Sequence, residues 1–198
     1  SKGQIAQSIA KISYQYPSLD ISFSDRTQLD LAETISITNY FDRNRFDVVI
    51  NSAAFTAVDQ AESDPDFVER INHLAVKQLA GIARKQQFIF IQVSTDYVFD
   101  GTKNTPYLET DLAHPSSVYG QSKRSGEKAI EAIVPLGCIV RTGWLYSEFG
   151  QNFVKTMLQL GKERDELNVV CDQIGSPTYA TDLARVLLTI STSETIRQ

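Results

Sequence analysis

The run Phe88–Val93, Phe-Ile-Phe-Ile-Gln-Val, constrains this chain more than any other stretch. A strand with one wet face alternates apolar and polar side chains. A nearly continuous apolar run fits a strand buried on both faces, as in a parallel sheet covered by helices. Val48–Ile50 repeats the signal on a shorter scale. Strand-like runs fall at Ile21–Ser24, Asp47–Asn51, Phe88–Ser94, Gly137–Arg141 and Leu167–Cys171. Between them lie helix-like stretches at Gln4–Ser13, Ala32–Phe41, Asp64–Lys85, Ser116–Ile133, Asn152–Gly161 and Asp182–Ser191. This rhythm predicts an α/β fold with a doubly wound parallel sheet. After about Trp144 it becomes irregular, as if a smaller region began there.

Composition narrows the chemistry. Of 198 residues, 42% are hydrophobic and 22% charged, so a real core can form. A net charge of −5 argues against nucleic acid as a partner. No apolar run approaches the roughly 18 residues of a membrane span, so no membrane partner is expected. Two cysteines, Cys138 and Cys171, are too few for a disulfide framework; they read as core thiols in a reducing, cytoplasmic setting. Only His73 and His114 are available, which disfavours a multi-histidine metal site or a Ser-His-Asp triad. Chemistry must therefore run on hydroxyls, carboxylates, lysines or a cofactor.

Two ends of the pattern carry that chemistry. Gly3-Gln4-Ile5 opens the first helix like the back half of a phosphate-binding glycine loop, where backbone N–H groups meet a diphosphate at a helix N-terminus. Asp25, Arg26, Asp30 and Leu31 follow the next strand-like run, the place where a dinucleotide fold reads ribose and adenine. Asp25 and Asp30 lean toward NADH and Arg26 toward NADPH; the two aspartates read equally well as turn and helix caps. Small residues after the following strand, Ala53-Ala54-Phe55-Thr56, let a flat ring approach the backbone or allow tight helix packing.

At the other end, Tyr119 and Lys123 are four residues apart and share a helix face. An ammonium at about 4 Å in an effective dielectric near 20 favours the phenolate by about 4 kcal/mol before desolvation, so Tyr119 is expected to be an acidified proton donor. Ser94-Thr95-Asp96-Tyr97 ends the most hydrophobic strand and can offer a hydroxyl to the same substrate oxygen.

Together these blocks resemble a family. Asn51-Ser-Ala-Ala-Phe-Thr-Ala-Val-Asp59-Gln-Ala-Glu62, Ser94-Thr-Asp-Tyr-Val-Phe-Asp-Gly101, Tyr119-Gly-Gln-Ser-Lys123, Arg141-Thr-Gly-Trp144 and Asp172-Gln-Ile-Gly-Ser-Pro-Thr178 are similar to the dTDP-4-dehydrorhamnose reductases, extended short-chain dehydrogenases/reductases with a Rossmann-like fold. The resemblance covers essentially the whole chain. It implies a dinucleotide-binding domain over residues 1–145, lacking its first strand, and the start of a substrate-binding region over 146–198. It also implies NADPH or NADH as cofactor, with NADPH preferred, and a dTDP-sugar substrate. A homodimer is compatible with it. Tyr119 would protonate the C4 carbonyl oxygen, Lys123 would hold the nicotinamide ribose, and Thr95 would orient the carbonyl. Asp96 and Trp144 would line the sugar pocket. Gly3, Gln4 and Ile5 would meet the diphosphate, Asp30 and Leu31 the adenine, and Ala53, Ala54, Phe55 and Thr56 the cofactor's length. Gln173 and Thr178 fall in a block near the nucleotide-sugar site. Dehydrating relatives carry Glu directly after Thr-Asp; Tyr97 in that place fits a reductase. The family extends past both ends of these residues, so weak or absent turnover is expected of the 198-residue chain alone. A non-catalytic reading also stands: a dinucleotide-binding regulatory subunit like the β subunit of methionine adenosyltransferase. So does another nucleotide-sugar reductase or epimerase.

Overall fold

The computed structural model describes residues 2–134 and 137–193. In chain order its elements begin with α1 (Gln4–Ile12), α2 (Thr34–Arg43), β1 (Val48–Asn51), α3 (Val58–Ala61), α4 (Pro65–Glu69), α5 (Ala75–Gln86) and β2 (Ile89–Thr95). They continue with α6 (Val118–Ile133), β3 (Cys138–Thr142), β4 (Leu145–Tyr146), α7 (Phe153–Glu163), β5 (Thr178–Tyr179) and α8 (Ala180–Thr192). This is the expected α/β architecture. Two compact units emerge, one built on Ser24–Arg141 and one joining the first 23 residues to Thr142–Thr192.

In the unit built on Ser24–Arg141, β2 is the central strand and all seven of its residues are buried. It pairs in parallel with β1 in the register Val48↔Ile89 to Asn51↔Gln92, and β3 borders its other edge. Phe88 and Phe90 enter a core with Ile37 and Phe41 of α2, Val76 and Leu79 of α5, and Ile130 of α6. The Phe41 and Phe88 rings stack at 5.7 Å.

The stretch Asp64–Lys85, read as one helix, is in fact three pieces. Asp64 caps α4 by accepting from the Phe67 amide at 3.3 Å, with Pro65 in the first turn. A π turn over Arg70–Leu74 then joins α4 to α5. Such single-turn bulges concentrate at functional sites because the extra residue re-aims one side chain. Here that side chain is Asn72.

The other unit packs α1 against α8, each burying an apolar stripe: Ile5, Ile9 and Ile12 on one, Leu183, Leu187 and Leu188 on the other. β4 and β5 form a short parallel pair, Leu145↔Thr178 and Tyr146↔Tyr179. The units cut the chain differently from the expected division at 145/146, because the α1 stripe finds its partner in α8.

Two expected strands are absent. Ile21–Ser24 and Leu167–Cys171 form no ladder. In the second, Val169 and Val170 stand exposed: a β-branched run becomes a strand only where a neighbour takes its hydrogen bonds, and none does here. Cys171 is accordingly exposed rather than a core thiol, whereas Cys138 on β3 is half-buried.

Candidate active site

The unit built on Ser24–Arg141 gathers most of the residues singled out in the sequence at the C-terminal ends of β1 and β2, where open α/β sheets bind ligands. Thr95, the last residue of β2, is buried. Its hydroxyl donates to the Asp96 carboxylate at 3.1 Å and accepts from the Tyr97 amide at 3.2 Å, turning the chain sharply. Burial pushes the Asp96 carboxyl above its usual range, against the pull of Thr95.

Helix α6 meets this turn at its first residues. Ser117 caps it by accepting from the Gly120 amide at 3.1 Å, and Glu62 accepts from the Val118 amide at 2.9 Å. A Cβ on Gly120 would strike the Tyr97 carbonyl, so only glycine lets the helix lie this close. The approach brings the Tyr97 and Tyr119 rings edge to face, centroids 5.6 Å apart. Tyr119 is buried among Ala61, Val68, Phe55 and Val58.

Lys123 lies one turn further along, also buried, and its ammonium donates to the Val93 carbonyl of β2 at 2.7 Å. Burial brings its pKa down to about 8, against the opposing pull of Glu127. The expected acidification of Tyr119 is not met in the chain by itself. Burial raises the phenol, Thr95 draws it partly back, and Asp96 and Tyr97 add to the rise. Spacing put the pair on one face, but burial governs the phenol, and the Lys123 ammonium is bonded to the Val93 carbonyl. Tyr119 therefore stays a protonated phenol through neutral pH, which is the form a proton donor needs.

Asn72 joins these pieces and was not legible beforehand. Buried in the π turn, it accepts from the Phe55 amide at 2.9 Å and donates to the Phe55 carbonyl at 3.0 Å. It also donates to the Ser122 hydroxyl at 3.1 Å, and Ser122 in turn bonds the Tyr119 carbonyl at 2.7 Å. One side chain thus pins the Ala53–Thr56 loop to α6. The same loop is held at its start by Asn51, which accepts from the Ala53 amide at 3.2 Å and donates to Gln92 at 2.9 Å. The signal available was a lone Asn between Val68 and Val76 at helical spacing on a buried stripe.

Asp30 is a turn organiser. It accepts from the Ala32 amide at 2.9 Å and from Arg26 Nε at 3.0 Å, which together hold its carboxyl below the usual range. Arg26 is thereby tethered while remaining largely exposed. Leu31 packs on the core cluster.

In the other unit, Gly3 precedes α1 with no side-chain cap, no acidic residue in the first turn, and open space where a Cβ would stand. Those uncapped N–H groups suit a diphosphate. Ile5 is core. The Gln4 side chain is already committed: its carbonyl accepts from Ser147 at 2.8 Å and Asn152 at 3.1 Å, so only its backbone is available to a ligand. Trp144 has a left-handed backbone (φ 49°) and is 40% exposed. Its indole rests over Gly175, where any Cβ would collide with it, and meets Phe153 edge-on at 6.1 Å. Thr178 serves the β4–β5 pair, and Gln173 is exposed.

Within the unit built on Ser24–Arg141, the donor set fits the nicotinamide end of a dinucleotide: a small-residue loop, and a buried ammonium with one protein acceptor and two further N–H groups.

A parallel α/β sheet with a Tyr-x-x-x-Lys helix docked on a Ser-Thr strand end is the arrangement of the extended short-chain dehydrogenases/reductases. The match is finer than that. Residues 1–198 fit the family model described as RmlD substrate binding domain, and the chain belongs to that family. It is similar to the dTDP-4-dehydrorhamnose reductase of Aggregatibacter actinomycetemcomitans, 43% identical over 96% of this chain and 64% of that one. The crystal structure of a dTDP-4-dehydrorhamnose reductase from Clostridium acetobutylicum superposes with a TM-score of 0.90 at 42% identity, covering 95% of this chain and 66% of that one. The enzyme of the same name from Bacillus anthracis, in complex with NADP, gives 0.91 at 36% identity over 96% and 68%. The chain thus spans about two thirds of these relatives' length.

Proposed function

We propose that the full-length protein is an NAD(P)H-dependent reductase, with NADPH the preferred donor, converting dTDP-4-dehydro-β-L-rhamnose to dTDP-L-rhamnose in the cytoplasm. The single observation carrying this reading is the convergence of Tyr119, Thr95 and Lys123 on the turn that ends β2, fixed by the Gly120 contact and the Lys123–Val93 bond. The names of the similar enzymes supply the substrate.

The bound nicotinamide supplies the hydride that C4 of the sugar accepts. The chain's own residues do the rest. Tyr119 holds a proton on a buried phenol and releases it to the C4 oxygen, so that the carbonyl becomes an alcohol. Thr95 orients that oxygen with its hydroxyl. Lys123 holds a ribose hydroxyl with its free N–H donors, and its positive charge stabilises the phenolate left behind. Tyr97 offers no carboxylate at the place where a dehydration would need one. The Trp144 face is the proposed platform for a hexose ring, as exposed aromatic faces suit sugar C–H groups, and the backbone at Gly3 is the proposed diphosphate contact.

The test is turnover of the full-length protein with NADPH against a panel of dTDP- and GDP-4-keto sugars. NADPH oxidation with dTDP-L-rhamnose as product is the expected result. Tight dinucleotide binding with no 4-keto sugar reduced would overturn it in favour of a regulatory subunit.

A further inference from the structure

Among the described residues Glu127 is the one carboxylate with no exposed surface, and the chemistry above does not use it. It sits on α6 one turn past Lys123, on the same face. Arg141 of β3 grips it with two donors, Nε to Oε1 at 2.9 Å and Nη2 to Oε2 at 2.7 Å. Arg124 of α6 donates to Oε2 at 3.0 Å and reaches on to Glu131 at 2.6 Å. Arg141 in turn lies over the Phe99 ring, 5.1 Å from its centroid, just beyond the turn that carries Thr95 to Tyr97. Burial alone would push Glu127 up, but the bonds from Arg141 and Arg124 hold it below its usual range, so it is a carboxylate at neutral pH.

Lys123, Arg124 and Arg141 bring three cations to one stretch of α6 and its neighbouring strand. Glu127 is the only buried anion among them, since Glu131 is half exposed. Removing it would leave two guanidiniums on the same stretch as a buried ammonium, without the fully buried carboxylate that now lies one turn from Lys123. A brace between α6 and β3 could be apolar, and an ionic one is expensive to desolvate.

We propose that Glu127 is a positioning residue that acts through Lys123, offsetting the two guanidiniums so that the buried ammonium stays a cation beside Tyr119. The proposal rests on the reading of Lys123 as the charged group of the reductase site. It assigns Glu127 no contact with substrate or cofactor.

The experiment follows the Lys123 Cε resonance by carbon NMR through a pH titration of the full-length protein, with NADPH affinity measured across the same range. Variants are Glu127→Gln, Glu127→Asp and Arg124→Gln. Glu127→Gln is expected to move the Lys123 midpoint down by about one pH unit, a tenfold change in its protonation equilibrium, and to bring the loss of NADPH affinity to correspondingly lower pH. Glu127→Asp is expected to restore most of the shift. Arg124→Gln, which removes a cation from the same cluster, is expected to move the midpoint upward. Unmoved midpoints in Glu127→Gln and Arg124→Gln, whatever the loss of activity, would reduce Glu127 to a structural brace and overturn the proposal. Should Glu127→Gln not fold, Arg124→Gln decides by the same criterion. A parent protein that binds no dinucleotide at any pH would refute the reductase reading instead, while the titration still reports on Glu127.

Discussion

At the scale of single residues, the site is a set of polar side chains each fixed by one or two bonds, so truncations have separable effects. Tyr119→Phe keeps the ring that packs on Ala61, Val68 and Phe55 and deletes only the hydroxyl. Turnover is expected to fall by roughly 10²–10⁴, the range for a lost general acid, with cofactor affinity and melting temperature nearly unchanged. Steady-state kinetics beside a dinucleotide titration check this, and joint loss of rate and affinity would speak for misfolding. Gly175→Ala tests the other unit. The new methyl would meet the indole of Trp144 at Nε1, 2.6 Å away, so the ring must move. A shifted tryptophan emission and a several-fold rise in KM for the sugar nucleotide are expected, with NADPH affinity retained. Legibility at this scale was uneven. Tyr119, Lys123 and Thr95 could be picked out because their spacing and strand-end position are local. Asn72 and Glu127 could not, since what defines them is a partner 17 residues away in Phe55 and 14 away in Arg141. The bonding of the Gln4 side chain to Ser147 and Asn152 was hidden for the same reason, since nothing in the neighbourhood of Gly3 announces it.

Elements were more readable than residues, and the exceptions have a common cause. Apolar periodicity marked α1, α2, α5, α6, α7 and α8, and the continuous runs marked β1, β2 and β3. It failed at Ile21–Ser24 and Leu167–Cys171, where composition favours a strand but no neighbouring strand completes a ladder. It also smoothed over the π turn at Arg70–Leu74, because one extra residue barely disturbs a hydrophobic stripe while redirecting Asn72. The decisive element contact is α6 on the turn after β2, and it depends on the absence of a side chain at Gly120. Gly120→Ala would gain helix propensity, worth about 1 kcal/mol in an exposed helix, yet it forces α6 off the Tyr97 carbonyl. The collision is with backbone, which cannot swing away as a side chain can. A net destabilisation of about 1–3 kcal/mol is expected, with turnover falling further than stability alone explains because Tyr119 moves with the helix. Denaturant melts and single-turnover rates on the same variant would show both, and a variant as active as its parent would refute the contact's role.

For the molecule as a whole, function and stability are in tension at one buried cation. Lys123 titrates at about 8 rather than 10.5 because burial disfavours its charged form. Below pH 8 it is charged in both the folded and unfolded states, and folding bears the full cost of that desolvation. Between 8 and 10.5 the folded protein carries a neutral amine while the unfolded chain is still protonated, so the penalty fades as pH rises and is gone above 10.5. A difference of this size corresponds to about 3 kcal/mol at neutral pH. Lys123→Met, which matches the aliphatic stem and removes one donor from the Val93 carbonyl while Gln92 Nε2 still bonds it at 2.8 Å, is therefore expected to abolish reduction yet stabilise the fold. The lost hydrogen bond takes back about 1 kcal/mol, leaving a net gain of about 2 kcal/mol at pH 7. The sign of the pH dependence separates this from ordinary core repacking. The advantage of the variant should shrink steadily between pH 8 and 10 and reverse near the upper end, where only the lost hydrogen bond remains. Urea unfolding at a series of pH values measures it directly, and a stability difference that does not vary with pH would mean that the ammonium is solvated in the folded protein after all.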